Sequence, residues 1–181
     1  MANTLKIKNM KNKYLIVALS FLLVFGVFIA CSKSNEPSTT KLTINMTDSP
    51  YNAQEVNVDI REVRVNFRDD STGWQTLNTN AGVYDLLDFQ NGIDTSLATG
   101  TVTTGMLKEL RLILGPNNSI KINNVTYPLT IPSGQESGLK IKVNKNLAQS
   151  LDSLLIDFDA NQSIIQTGNG EYKLKPVIKL K

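Results

Sequence analysis

Val56-Asn-Val-Asp-Ile60, followed at once by Val63-Arg-Val-Asn-Phe67, decides the fold. Apolar residues occupy every second position in both runs, which is the period of a half-buried strand. The parity slips between them, from even positions before Arg61 to odd positions after Glu62. One extra residue near Arg61-Glu62 keeps all the apolar side chains on one face, so a β-bulge is predicted there. An α-helix, with its period of about 3.6 residues, would scatter these side chains around its axis.

The same period extends outward in both directions. Upstream, Leu42, Ile44 and Met46 alternate with polar residues, and Asp48-Ser-Pro-Tyr-Asn52 supplies turn chemistry. Downstream, Arg68 to Gly73 reads as a turn, and Trp74 to Leu77 and Val83 to Leu87 read as short strands. Asp88 to Gly105 shows little alternation and is expected to be a long connection. Met106 to Leu114 restores the pattern. Ile120-Lys-Ile122 and Val125 to Ile131 form an expected hairpin across Asn123-Asn124, a pair that tolerates positive φ. Leu139, Ile141 and Val143 make a strand, Asn144 to Ser150 is given one helical turn, and Leu154, Ile156 and Phe158 alternate again. Gly168-Asn-Gly170 marks a tight turn. Tyr172, Leu174, Ile178 and Leu180 close the chain, with Pro176 placing them at an edge or a bulge. Short strands with turns at intervals of about ten residues predict an all-β antiparallel sandwich.

The first 40 residues do not belong to this pattern. Tyr14 to Ala30 is a run of 17 mostly apolar residues preceded by Lys6, Lys8, Lys11 and Lys13 and followed by Cys31, the only cysteine. A positive segment, an apolar core and a small residue at the cleavage point are the parts of a secretory signal. Phe28-Ile-Ala-Cys31 resembles a lipobox, with Phe28 where a smaller aliphatic residue is usual. Residues 1–30 are therefore expected to be a lipoprotein signal peptide and Cys31 the lipidated residue. The alternative is a permanent anchor, for which the run lies at the short end of a bilayer span. Residues 31–40, polar and carrying Pro37, are expected to form a flexible tether of at most roughly 35 Å. Residues 41–181 then make one sandwich domain, held by a lipid anchor in a bacterial cell envelope, at the outer membrane.

Charge and composition exclude several functions. Four of the 19 basic residues lie in 1–30 and all 16 acidic residues lie beyond it, so the remainder carries a net charge of −1. Such a balance does not suggest nucleic acid, which calls for a basic stripe with interleaved aromatics. The chain contains no histidine, which removes Ser-His-Asp and Cys-His nucleophile systems and His-ligated zinc or iron. Ser137-Gly-Leu-Lys140 has the S-x-x-K spacing but opens a strand, where positions i and i+3 face opposite ways.

The remaining candidates are carboxylates and aromatics. Asp157-Phe-Asp159 sets two carboxylates on one strand face, and with Asn161 the spacing begins like a calcium loop. Gln162 then stands where glycine is required, so the competing reading is a solvated strand end. Asp48, Asp85 and Asp88 read either as turn caps or as the paired acids of a glycosidase. Trp74 and Tyr51, with Tyr84, Tyr127 and Tyr172, could stack on sugar rings; the competing reading packs Trp74 between the sheets.

Thr47-Asp-Ser-Pro50, Gly73-Trp-Gln-Thr-Leu77, Gly82-Val-Tyr-Asp-Leu-Leu-Asp88, Asn91-Gly-Ile-Asp-Thr95, Arg111-Leu-Ile-Leu-Gly-Pro-Asn-Asn118, Tyr127-Pro-Leu-Thr-Ile-Pro-Ser-Gly134, Asp157-Phe-Asp-Ala160 and Leu174-Lys-Pro-Val-Ile178 occur in that order. Together with Val56 to Ile60 they resemble a family of bacterial envelope lipoproteins, domain of unknown function 4382. The resemblance covers residues 41–181 and implies an immunoglobulin-like or transthyretin-like β-sandwich on a lipid tether. It brings no catalytic or binding residues. The expected function is a non-catalytic envelope lipoprotein that binds a protein or glycan partner or serves a structural role. No cofactor is expected. The alternatives are a carboxylate-based glycan hydrolase and a calcium-stabilised adhesion module.

Overall fold

The computed structural model describes residues 38–70, 72–132, 138–148 and 150–181. Cys31, the apolar run before it and Ser137 lie outside the described residues.

β1 (Thr39–Thr47) begins two residues earlier than the alternation suggests, at the end of the expected tether. β2 (Glu55–Asn66) is the longest strand, and its register against β7 (Gly105–Leu114) shifts between Ile60 and Glu62. That is the bulge demanded by the parity slip. Val56, Val58, Ile60, Val63 and Val65 are all fully buried as a result.

Among the described residues the strands form two sheets. The first runs, in spatial order, β14 (Ile178–Leu180), β11 (Leu151–Phe158), β1, β6 (Thr95–Thr103) and β4 (Asn78–Thr79). The second runs β10 (Leu139–Leu147), β7, β2, β8 (Ser119–Ile122), β9 (Val125–Thr130), β13 (Tyr172–Leu174) and β12 (Ile164–Gln166). β3 (Trp74–Thr76) and β5 (Gly82–Asp85) pair with the other side of β2. Between β3 in one sheet and β4 in the other stands Leu77, 4% exposed, and its backbone N–H donates to Val63 O at 2.9 Å. Side chains of both sheets meet in a single core that runs from Leu42, Ile44 and Met46 to Leu110, Leu112 and Phe158. The chain is thus nearly all-β with a sandwich-like arrangement.

Four expectations need correction. The sheets are mixed rather than wholly antiparallel, because β1 pairs β11 and β9 pairs β13 in parallel. The segment from Asp88 to Gly105 contains β6, which lies beside β1 for nine residues. Its inward side chains are Leu97, Ala98 and Val102, too few and too small to show a period. Asn144 to Leu147 continues β10 instead of forming a helical turn. Asn144 takes φ 51° and the β10–β7 register shifts there, so the irregularity that reads as a turn is a bulge. Finally, Trp74 is half-buried and does not lie in the core. The Asn123-Asn124 hairpin, in contrast, forms as expected, with φ 50° and 62°.

Candidate functional site

The loop between β1 and β2 brings most of the polar and aromatic candidates together. Thr47 Oγ1 donates to the carbonyls of Phe89 and Ile93, at 2.8 and 2.9 Å, and fixes the loop's start. Asp48, 2% exposed, follows. Its Oδ1 accepts from Ala160 N at 2.9 Å and its Oδ2 from Gln90 Nε2 at 3.1 Å. Ser49 Oγ donates to both carboxylate oxygens of Asp157, at 3.2 and 3.0 Å. At the far end Gln54 Nε2 donates to Asn124 Oδ1 at 2.9 Å, and Asn124 N donates back to Gln54 Oε1 at 2.6 Å. Tyr51 lies between these two clamps.

Asp157 and Asp159 are not a solvated strand end. β11 stops at Phe158, and Asp159 caps the short helix α1 (Ala160–Ser163), its Oδ1 accepting from Gln162 N at 3.0 Å. Asp157 is 7% exposed and Asp159 6%. Each carboxylate faces a lysine: Lys181 Nζ is 3.2 Å from Asp157 and Lys179 Nζ is 3.5 Å from Asp159. Asn161 is exposed. Among the described residues no three His, Cys, Asp or Glu side chains are grouped to hold a metal ion. Asp85 caps the 3-10 helix Leu86–Phe89, accepting from Leu87 N at 3.1 Å.

Burial pushes the Asp48 carboxyl up to about 6, and the nearby Asp157 charge adds to this against the hydrogen bonds from Ala160 and Gln90. A raised carboxyl favours folding in its protonated form. Its contribution is complete below the ordinary value of 3.8 and is lost as the pH rises through about 6. Asp48→Asn keeps an acceptor for Ala160 N without the charge. It is expected to raise the unfolding free energy at pH 8 by about 1–2 kcal/mol and to leave it nearly unchanged at pH 4. Urea denaturation of both proteins across that range checks the sign.

Two of the tyrosines, Tyr127 and Tyr172, meet beside a cleft. Tyr127 on β9 and Tyr172 on β13 have ring centroids 5.0 Å apart at 53°, a tilted pair of the favoured kind. The parallel β9–β13 ladder makes this pair, setting Tyr172 opposite Leu129. Burial raises the Tyr51 phenol, and the Tyr172 phenol adds to this. Beside the pair is an open cleft of about 230 Å³, lined by Tyr127, Pro128 and Thr130 of β9 and by 169–172 of the β12–β13 turn. Gly170 takes φ 78° in that turn, a value favoured by glycine. Asn169 and Glu171 give the cleft hydrogen-bonding groups next to the aromatic wall.

Tyr84 is elsewhere, against Phe89 at 6.2 Å, its hydroxyl donating to the Asn80 carbonyl. Trp74 is also separate: the Arg111 guanidinium lies over its ring, 4.0 Å from the centroid. The sequence offered Tyr51, Tyr84, Tyr127 and Tyr172 as candidates but contained no signal that Tyr127 and Tyr172 meet. Those residues lie far apart in the chain and the contact requires the parallel ladder.

The family described as Domain of unknown function (DUF4382) matches residues 39–176. The chain belongs to this family. No curated protein and no solved structure matches it. The family match spans β1 to β13, and therefore includes Tyr51, Tyr127, Tyr172 and the buried aspartates. Among the described residues no helix is long and apolar enough to cross a membrane.

Proposed function

We propose that this DUF4382 chain is a lipid-anchored envelope protein whose sandwich, of immunoglobulin-like or transthyretin-like type, binds a glycan at the tyrosine cleft. The observation that carries the reading is the Tyr127–Tyr172 ring pair beside an open cleft with Asn169 and Glu171 in its lining. Tyrosine rings offer a flat apolar wall to the C–H face of a pyranose, and the polar rim takes its hydroxyls. The β9–β13 ladder holds the wall in place before a ligand arrives, which lowers the ordering cost of binding. The signal-like leader and Cys31 support the anchor, and several acyl chains together make such an anchor stable.

The carboxylates support binding rather than hydrolysis. Asp48, Asp85, Asp157 and Asp159 are engaged with backbone N–H groups, side-chain donors or lysines and do not line the cleft, whose lining holds one carboxylate, Glu171, where a glycosidase needs two. The reading is tested with the full chain in detergent on an array of envelope and host glycans. Binding is expected, and Tyr127→Ala with Tyr172→Ala is expected to weaken it by about 2 kcal/mol or more, roughly thirtyfold. Undiminished binding by that variant would place the glycan elsewhere. Mass spectrometry of the native protein is expected to find an N-terminus at an acylated Cys31; an intact leader with an unmodified Cys31 would remove the lipid anchor.

A further inference from the structure

The outer face of the second sheet carries a row of cations that the tyrosine cleft does not use. Lys140 on β10 stands opposite Arg111 on β7, Arg111 opposite Arg64 on β2, and Arg64 opposite Thr76 on β3. Directly paired residues share a face, so the row crosses four strands with steps of about 4.8 Å. Leu110, Leu112, Val63 and Val65, which alternate with these residues, are fully buried, so the row points away from the core.

Arg111 is the unusual member. Its guanidinium is stacked on Trp74, its Nε is buried, and that atom has no hydrogen-bond partner. Among the described residues neither Arg111 nor Lys140 has an ion-pair partner, while Arg64 leans on Glu62. A guanidinium is ordinarily held by a carboxylate; here an aromatic face holds it and leaves its planar fork available. The neighbouring rows limit the positive field. Glu62 stands opposite Ile113 on one side, and Glu109 opposite Lys142 on the other. The surplus of positive charge is therefore a strip one residue wide that runs across the strands.

We infer that this strip binds a linear carboxylated polysaccharide, a chain of uronic acids, lying across β10, β7, β2 and β3. The fork of Arg111 matches a carboxylate with two parallel hydrogen bonds. The strand spacing is close to the length of one pyranose residue, so successive cations can meet successive sugars. Trp74 places an aromatic edge beside the same row. A flat anionic membrane fits less well, because it would press on Glu62 and Glu109 together with the cations. The site is independent of the tyrosine cleft, and the two fail separately.

The test is affinity electrophoresis of the full chain in detergent through gels containing polygalacturonate, with dextran as the neutral control. Polygalacturonate is expected to retard the protein and dextran to do so much less. Arg111→Gln and Lys140→Gln are each expected to weaken the retardation about tenfold, the worth of one charge-assisted hydrogen bond. Glu62→Gln is expected to strengthen it. Lys140 is exposed, so its variant stays folded and keeps the test decisive if Arg111→Gln does not. Tyr127→Ala with Tyr172→Ala is expected to leave the polygalacturonate retardation unchanged. Equal retardation of wild type and both cation variants would overturn the inference. So would cosedimentation with phosphatidylglycerol vesicles that depends on Arg111 and Lys140 when polygalacturonate has no effect.

Discussion

Phe158→Ala is expected to destabilise the protein by about 3–5 kcal/mol, the cost of removing a large side chain from a site that cannot collapse. Phe158 is fully buried and ranks first by volume among such side chains. It ends β11, which is held by a parallel ladder to β1 on one side and by β14 on the other, where Phe158 pairs with Ile178. The flanking residues deepen the effect. Asp157 is tied to Ser49 and Asp159 to α1, so a cavity between them also loosens the loop that carries Tyr51. For a domain of this size the melting temperature should fall on the order of 10–20 °C. Phe158→Leu retains most of the volume and should cost less than about 1.5 kcal/mol. Thermal unfolding followed by circular dichroism measures both.

Gly115→Ala is expected to cost about 2–3 kcal/mol, through crowding rather than backbone strain. A Cβ there would lie 2.2 Å from Asp59 Oδ2, 2.6 Å from Asp59 Cγ and 2.5 Å from Arg61 Nε. Asp59 is fully buried and fixed: Arg61 Nη2 is 2.7 Å away and Asn117 N donates to the same oxygen at 3.2 Å. The turn would have to lift instead, at the expense of the 2.7 Å bond from Gly115 N to Asp59 O and the bond from Asn118 Nδ2 to Gly115 O. Asp59→Ala removes the carboxylate that the new methyl meets. The double variant should therefore lose at least about 1 kcal/mol less than the sum of the two single losses. Strict additivity in denaturant unfolding would show that the crowding is not the cause.

The sequence made the strands legible where one face is buried along their whole length. Val56 to Phe67 announced both a strand and its bulge, because a slip of one residue would expose every valine. Asn123-Asn124 announced a hairpin, because two consecutive residues at positive φ are tolerated by few side-chain types. β6 stayed hidden for the opposite reason. Gly100, Thr101 and Thr103 contribute little apolar contrast, and the β1 register shift after Ile44 buries Leu97 and Ala98 in succession. Trp74 was assigned to the core by its size. Its strand instead pairs at the edge of β2, opposite Asn66, and puts the ring on the outer face under Arg111.

The candidate site was legible residue by residue but not as an assembly. Tyr127 and Tyr172 were each candidates, and the structure joins them to one another, since pairing between β9 and β13 brings together segments more than 40 residues apart. The aspartates read as a possible calcium loop because their spacing begins like one before Gln162 breaks it; the chain direction changes at Asp159, where a helix cap replaces the strand. The expected compartment rests on Lys6 to Cys31, which lie outside the described residues.

Tyrosine ring resonances of the full chain in detergent micelles, followed by NMR during titration with the glycan selected on the array, give the most direct test of the cleft. The signals of Tyr127 and Tyr172 should move together and saturate at one concentration, while those of Tyr84 stay in place. Saturable binding that leaves Tyr127 and Tyr172 unmoved would contradict a binding site at this cleft.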